Sequence, residues 1–500
     1  MKKILIILLV FLSVTSCNNN LDTLNANLKD FTVVSGEAIY NGATRALMNQ
    51  MFTFDVNNNN TLLFVQHFAE TTYPDESRYD MVTRPVPANN MNTLYRTVLM
   101  NYKDAARALT EAPLGGIDQK QRDNQLAIIE IMSVFTWSTI VETYGNMPYS
   151  EALDYTKPNP KYDDGLTIYK DLISRLNAAI AKLDPAFAGM GAGFDNVFGG
   201  TAAGTAKWIR FANTLKLRMG IMLSDISAEA AFAKTTIEAA APNVFNVPIT
   251  SPTAGDKFAL TYLSASPNQN PVYVDLVVSG RFDYVATSNI VDLANTLNDP
   301  RRAGFLWTQV GGEYKGGAQG MPNGYGSFTH INNSLLKPER EVVAMDYTEA
   351  EFLLAEAVER GFNVGGTAAS HYNNAITSSI KYWGGTDADA TAYLAQPSVT
   401  YATAEGTWRN KIGTQAWLGY YFRGLTAWTN WRRLDYPRLI ASPKHVADVN
   451  GIPVRYTYAV SEQTLNGANY TAAASAIGGD KAETRLFWDK GPENYDSSFK

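Results

Sequence analysis

Cysteine and histidine are scarce. The single cysteine among 500 residues, Cys17, rules out an intramolecular disulfide framework and any cysteine-cluster zinc or iron–sulfur centre. The four histidines, His67, His330, His371 and His445, stand singly and leave little room for a histidine-based metal site. Charge is sparse as well, 18% of residues against roughly 25% in an ordinary soluble chain. Its balance of −6 is the wrong sign for nucleic-acid binding, which needs a basic face. Beyond the N-terminal segment no stretch reaches the roughly 18 consecutive apolar residues that span a bilayer as a helix. There is no G-x-S-x-G, no H-E-x-x-H and no phosphate loop. The isolated His67 and His371 form no triad, and paired carboxylates such as Asp75-Glu76 and Asp163-Asp164 read as turn or cap residues rather than a glycosidase pair. Asp163 or Asp164 is well placed to cap a helix beginning near Leu166.

The lone cysteine stands directly behind a leader. Lys2 and Lys3 precede an unbroken apolar run from Ile4 to Leu12, the length of a secretory h-region and too short for a membrane span. Val14-Thr15-Ser16-Cys17 is similar to a lipobox. That resemblance implies thioether lipidation of Cys17 and cleavage before it, which would remove residues 1–16. The net charge would then be −8, because the leader carries two lysines and no acid. Asn18-Asn19-Asn20 would begin a polar spacer over 17–36.

Helical periodicity dominates the rest of the chain. Tyr169, Leu172, Ile173, Leu176, Ile180 and Leu183 recur at helical offsets. So do Trp208, Phe211, Ala212, Leu215, Met219 and Met222, and likewise Trp417, Tyr420, Tyr421, Gly424, Trp428 and Trp431. Each set predicts one amphipathic helix of about four turns with its stripe in a core. Residues 124–144 are apolar on nearly every side and predict a central buried helix that stops at Tyr144-Gly145. Thr348 and Glu351 predict a capping box, with Tyr347 and Phe352 as its hydrophobic staple. That helix and the stripe Tyr372, Ala375, Ile376, Ser379 and Trp383 form a hairpin across a Gly-rich turn, the unit of tetratricopeptide-like arrays.

Two stretches differ. Residues 240–345 are rich in Pro, Gly, Asn and aromatics and show little helical period, and 441–480 form a second low-period region. No charge run or polar linker divides the chain. A length prior of roughly 150 residues per domain would give about three domains, but one mostly all-α body over 37–500, with a loop-rich insertion at about 240–345, fits better.

Taken together, the lipobox and several blocks resemble the SusD/RagB family of nutrient-binding outer-membrane lipoproteins of Bacteroidota-type bacteria, in its SusD-like subgroup. The blocks are FVQHFAETTYPDESRY (64–79), YGNMPYSEAL (144–153), PKYDDGLTIYKDLI (160–173), WIRFANTLKLR (208–218), LNDPRR (297–302), YTEAEFLLAEAVERG (347–361), GLTAWTNWRRLDYPRL (424–439) and RLFWDK (485–490). The resemblance implies a helical fold with four tetratricopeptide-like helix pairs on one face. It implies no enzymatic activity. It also implies capture of an oligosaccharide or other nutrient at the outside of the outer membrane, and a SusC-like TonB-dependent transporter as partner. The alternatives are a tetratricopeptide-type scaffold for protein partners, a binder of peptides rather than glycans, and a lipid-anchored glycosidase.

Sugar rings pack their C–H faces on Tyr or Trp, and their hydroxyls need polar side chains nearby. Two irregular segments supply both. One holds Tyr73, Asp75, Arg78 and Tyr79; the other holds Asn270, Tyr273, Arg281, Tyr284, Trp307, Tyr314, Asn323 and Tyr325. Tyr73, Tyr79, Trp307 and Tyr325 are the first to substitute. Trp428, Trp431, Arg432, Arg433 and Asp435 read as structural. No cofactor is expected. Asp55-Val56-Asn57-Asn58-Asn59 begins like a calcium loop, but Asn60 stands where that loop needs Gly and Gln66 where it needs Glu, so it reads as a polar loop. Oxygen ligands leave little trace in sequence, and a structural calcium elsewhere stays open at this level.

The lipobox reading has a direct check. Cys17→Ser expressed in the native host should lose acyl labelling and leave the membrane fraction; continued membrane retention would remove the anchor.

Overall fold

The structure, a computed structural model, describes residues 34–303, 307–447, 449 and 451–491. Cys17, the predicted leader and nearly all of the predicted spacer lie outside them.

From Gly36 onward the chain is mostly helical with a few short strands. Numbering helices of eight or more residues, α1 is Gly36–Phe52, α2 Met100–Glu111, α3 Gln119–Tyr144, α4 Gly165–Lys182, α5 Ala202–Met222, α6 Ala230–Ala240 and α7 Ser288–Thr296. They continue with α8 Tyr347–Glu359, α9 Ala368–Tyr382, α10 Asp387–Leu394, α11 Trp408–Gly419, α12 Gly424–Leu434 and α13 Gly467–Ala476. Four helix pairs succeed one another along the chain, α3 with α4, α5 with α6, α8 with α9 and α11 with α12. Successive pairs touch through α4–α5, α5–α8 and α8–α11.

Helix α3 is the buried centre. Asp118 starts it by accepting from the Lys120 amide, and Gly145 ends it at φ +89°, where a Cβ would stand 2.8 Å from Leu486. Its polar residues survive burial by bonding their own helix: Ser133, Thr136, Thr139 and Thr143 each donate to the carbonyl four residues back. Asp164 caps α4 as its position predicts, accepting from Thr167 N at 2.8 Å.

Two helix boundaries differ from the sequence reading. The cap of α8 is Asp346, which accepts from Glu349 N at 3.0 Å; Thr348 lies inside the helix, and its hydroxyl has no hydrogen-bond partner among the described residues. The predicted capping box therefore does not form, Tyr347 is the first residue of the helix rather than the one before its cap, and Glu351 instead meets His371 Nδ1 at 2.7 Å. The Trp417–Trp431 stripe is two helices. Phe422 takes a left-handed φ of +70° and breaks the chain between α11 and α12. The low-period regions also hold helices the pattern did not show, α7 and α13.

Short strands pin the insertion. β1 is Phe68–Glu70, β2 Met147–Pro148, β3 Tyr162–Asp163, β4 Lys257–Leu260, β5 Tyr284–Ala286 and β6 Val342–Asp346. β4 pairs antiparallel with β6, with a register irregularity at Phe258/Ala259, and closes the base of the segment 261–341. β5 pairs antiparallel with β1.

Buried and half-buried ion pairs join the helix pairs. Glu356 on α8 accepts from Arg360 Nε at 2.7 Å and from Arg433 of α12. Arg360 grips Asp225 with two bonds of 2.7 and 2.8 Å, and Arg409 of α11 adds a third at 2.9 Å. Against the upward push of burial, these guanidinium groups hold the Asp225 carboxyl well below its ordinary range. Arg423 bridges Asp346 at 2.9 Å and Glu349. Arg432, wholly buried, lies over Trp428 at 3.6 Å and donates to the carbonyls of Glu142 and Val454. The structural reading of 432–435 agrees with this.

Removing one partner of such a pair strands a buried charge. Glu356→Gln should lower the unfolding free energy by about 3 kcal/mol. The double change E356L/R433L should lose less than the single one. Urea denaturation at neutral pH reads both.

Candidate functional site

The β1–β5 pairing places Glu70 opposite Tyr284 and so brings the two segments singled out in the sequence side by side. Thr71 knots them together. Its amide donates to Asp283 O at 2.8 Å, its hydroxyl to Phe282 O at 2.8 Å, and its carbonyl accepts from Asn323 N at 2.7 Å. Next to this knot is a cleft of about 440 Å³, walled by Tyr273, Leu276 and Val277, by residues 280–284, by Tyr325 and Ile331, and by 336–338.

Its aromatic floor is built from neighbours in space. Tyr325 stacks on His330 with centroids 4.1 Å apart and leans on Phe282 at 4.8 Å. Phe282 is 61% exposed and Tyr73 62% exposed. Polar groups flank the rings: Arg281 pairs with Asp283 at 2.5 Å, and Lys337 and Asn333 also line the cleft. The wall 274–278 is one turn of π-helix, a form frequent at functional sites. Asp275 fastens it to the end of α1, accepting from Thr53 Oγ1 and Phe54 N at 2.7 Å each.

Of the sequence candidates, Tyr273, Arg281, Tyr284 and Tyr325 line this cleft, and Tyr73 is exposed nearby. Four candidates, Tyr79, Trp307, Asn270 and Asn323, are buried away from this cleft and hold the fold instead, which corrects their assignment as ligand contacts. Tyr79 accepts from Gln66 Nε2 at 3.0 Å and from Ser442 N at 3.2 Å. Trp307 donates to Tyr421 Oη at 2.9 Å and packs in the core. Asn270 caps the turn at 271–273 and donates to Arg340 O. Asn323 donates to three carbonyls, those of Glu70, Ala318 and Met321. Tyr284 shows the cleft little more than its ring, since its hydroxyl donates to Phe54 O at 2.7 Å and it is 6% exposed. Arg78 Nε is taken by Gly320 O at 2.9 Å, Asp75 is exposed outside the cleft wall, and half-buried Tyr314 packs toward Arg302 and Trp307. Phe282, His330 and the apolar wall were not singled out from sequence. The signal for Phe282 was present: an aromatic between Arg281 and Asp283, just after Gly280.

A buried carboxyl pair lies beneath the Tyr73 loop. Glu70 accepts from Ser77 N at 2.8 Å and is pushed up to about 9 by burial and by the Glu76 charge. Arg84 meets the other side of Glu76. The Asp55 loop closes on itself, with Asp55 accepting from Asn57 N, Asn57 Nδ2 and Asn58 Nδ2.

Glu70 is neutral in the fold where it would be ionised in the unfolded chain. Stability should therefore fall as pH climbs from about 4.5 to about 9, the direction set by fewer protons bound in the unfolded state. Glu70→Gln should flatten that slope; thermal melts across this range test it.

A family profile described as SusD-like, "Starch-binding associating with outer membrane", matches residues 28–459. Solved structures share the fold at 23–24% identity. One, a chitin-binding protein, superposes with a TM-score of 0.76, covering 91% of this chain and 100% of its own. A chitin-binding SusD homolog from Flavobacterium johnsoniae gives 0.76, covering 92% and 99%. A SusD homolog from Bacteroides uniformis gives 0.70, covering 90% and 99%. No curated protein sequence matches.

Proposed function

The chain belongs to the SusD-like family, and from that premise we propose that its Phe282–Tyr325 cleft captures an oligosaccharide and hands it to a SusC-like TonB-dependent transporter. The cleft carries this reading: aromatic rings half open to solvent, edged by a charged pair and backed by an apolar wall. A pyranose lays its C–H face on such rings while its hydroxyls reach Arg281, Asp283, Asn333 and Lys337. The apolar residues Leu276, Val277, Ile331 and Leu336 suit acetamido methyl groups, so chitooligosaccharides belong in the first panel beside starch fragments. Binding is reversible and breaks no bond. Among the described lining residues the one carboxylate, Asp283, is held by Arg281, whereas glycoside hydrolysis ordinarily needs two. In the same reading the leader 1–16 is removed, lipidated Cys17 anchors the body 37–500 to the outer membrane, and the cleft faces the cell exterior.

Calorimetric titration with N-acetylchitohexaose and maltohexaose tests the cleft. Phe282→Ala and Tyr325→Ala should each weaken binding at least about tenfold, or about 1.4 kcal/mol. Trp307→Phe should leave affinity unchanged while costing about 1 kcal/mol of stability through its lost bond to Tyr421. Affinity that follows Trp307 and ignores Phe282 would sink the cleft assignment, and binding of peptides with no glycan would change the ligand class.

A further inference from the structure

A larger cavity, about 690 Å³, opens on the helical side between α2, α3 and α4. Each helix or its approach lends it one stripe: Leu99, Lys103 and Ala106; Leu126, Glu130, Ser133 and Trp137; Asp171, Arg175 and Lys182. Helices that pack only for stability close their groove with interlocking side chains. Here Ala106, Ala127, Ala178 and Ala179 keep it open.

One end of the groove carries a fixed polar frame. Arg175 Nε donates to Glu130 Oε1 at 2.6 Å, its Nη1 donates to Tyr149 Oη at 2.6 Å, and Tyr149 Oη donates to Asp171. Nη2 of Arg175 has no protein partner among the described residues, and both carboxylates reach solvent. The Tyr149 ring stands edge-on to Trp137 at 4.9 Å and faces the groove half-buried. Leu153, on the rim, is held at a left-handed φ of +60° with its carbonyl gripped by Lys103 Nζ at 2.6 Å. Strain of this kind in a non-glycine residue persists where surrounding structure enforces it, often at a binding site.

The chemistry of the frame selects its ligand. Glu130 and Asp171 repel a phosphate or sulfate. Lys103, Arg175 and Lys182 repel a cation. An apolar helix laid in the groove would strand all five charges. A neutral polyol suits it, because each hydroxyl donates to a carboxylate and accepts from a guanidinium while a ring face covers Tyr149. We propose that this groove is a second saccharide site, separate from the Phe282–Tyr325 cleft, and that it takes a short stretch of neutral glycan across Glu130, Arg175 and Asp171.

The test is calorimetric titration of the full chain without its leader. Probes are N-acetylchitohexaose, maltohexaose and xylohexaose, against the native protein, F282A/Y325A and E130Q/D171N, each first checked for a native-like melting curve. Two sites should appear in the native protein. F282A/Y325A should keep one of them, and E130Q/D171N should weaken that one at least about tenfold while sparing the other. A single site lost in F282A/Y325A and untouched in E130Q/D171N overturns the groove and leaves the cleft standing. A single site with the opposite pattern keeps the groove and overturns the cleft. No binding of any probe by the native protein overturns both. Should E130Q/D171N fold poorly, Tyr149→Phe serves, since it deletes only the hydroxyl that joins Arg175 to Asp171.

Discussion

The helix pairs are tied by a lattice of buried and half-buried arginines and carboxylates. Glu356 takes Arg360 and Arg433, Asp225 takes Arg360 and Arg409, and Arg423 spans Asp346 and Glu349. These groups come from the end of α5, from α8 and its approach, and from α11 and α12. Buried charges cost several kcal/mol each to desolvate, and only near-complete pairing offsets that cost. The lattice therefore tolerates few relative positions of its helices. Apolar contacts are non-directional and absorb small displacements, whereas a forked guanidinium holds its carboxylate in one geometry. The pair α3–α4 joins through Glu142 of α3, whose carboxylate accepts from Tyr169 of α4 at 2.8 Å and whose carbonyl accepts from Arg432 of α12.

That rigidity is what allows the other side of the molecule to be irregular. The segment 261–341 has little regular structure of its own, yet it is held at its base by β4 and β6 and at its middle by β1 and β5. Asn323 and Thr71 commit side-chain and backbone bonds to neighbouring loops, a cross-bracing that replaces the ladder a sheet would supply. The cleft rings Phe282 and Tyr325 are presented on this bracing.

Much of the helical body was legible in the sequence. Apolar residues on every side marked α3 as central, and three stripes located α4, α5 and the α11–α12 region. The errors have particular causes. Asp346 and Thr348 are both capping types two residues apart; Asp346 wins because it also receives Arg423 from another element, a long-range partner that local pattern does not show. The α11–α12 break was hidden because helical spacing continues in register through residues 420–423. At the site, the rule that aromatics on irregular segments face ligand failed for Tyr79 and Trp307. A loop covered by another loop is as buried as a helix, and which loops are covered depends on strand pairing between residues as far apart as Phe68 and Ala286. Membership of the family, by contrast, was carried by short blocks spread in order along the chain, and the profile match agrees.

The β4–β6 clasp shuts the 261–341 segment into a ring whose two ends are fixed whatever the ring contains. Closing a longer ring costs little, about 0.6 kcal/mol for each doubling of its length. Insertions, deletions and aromatic exchanges in its exposed stretches are thus the ones that spare the helical body, which meets the ring at the clasp and at buried anchors such as Trp307–Tyr421 and Asp275–Thr53. Ligand preference in such a molecule can drift over generations while the scaffold stays put, a division of labour between a fixed frame and an exchangeable cassette.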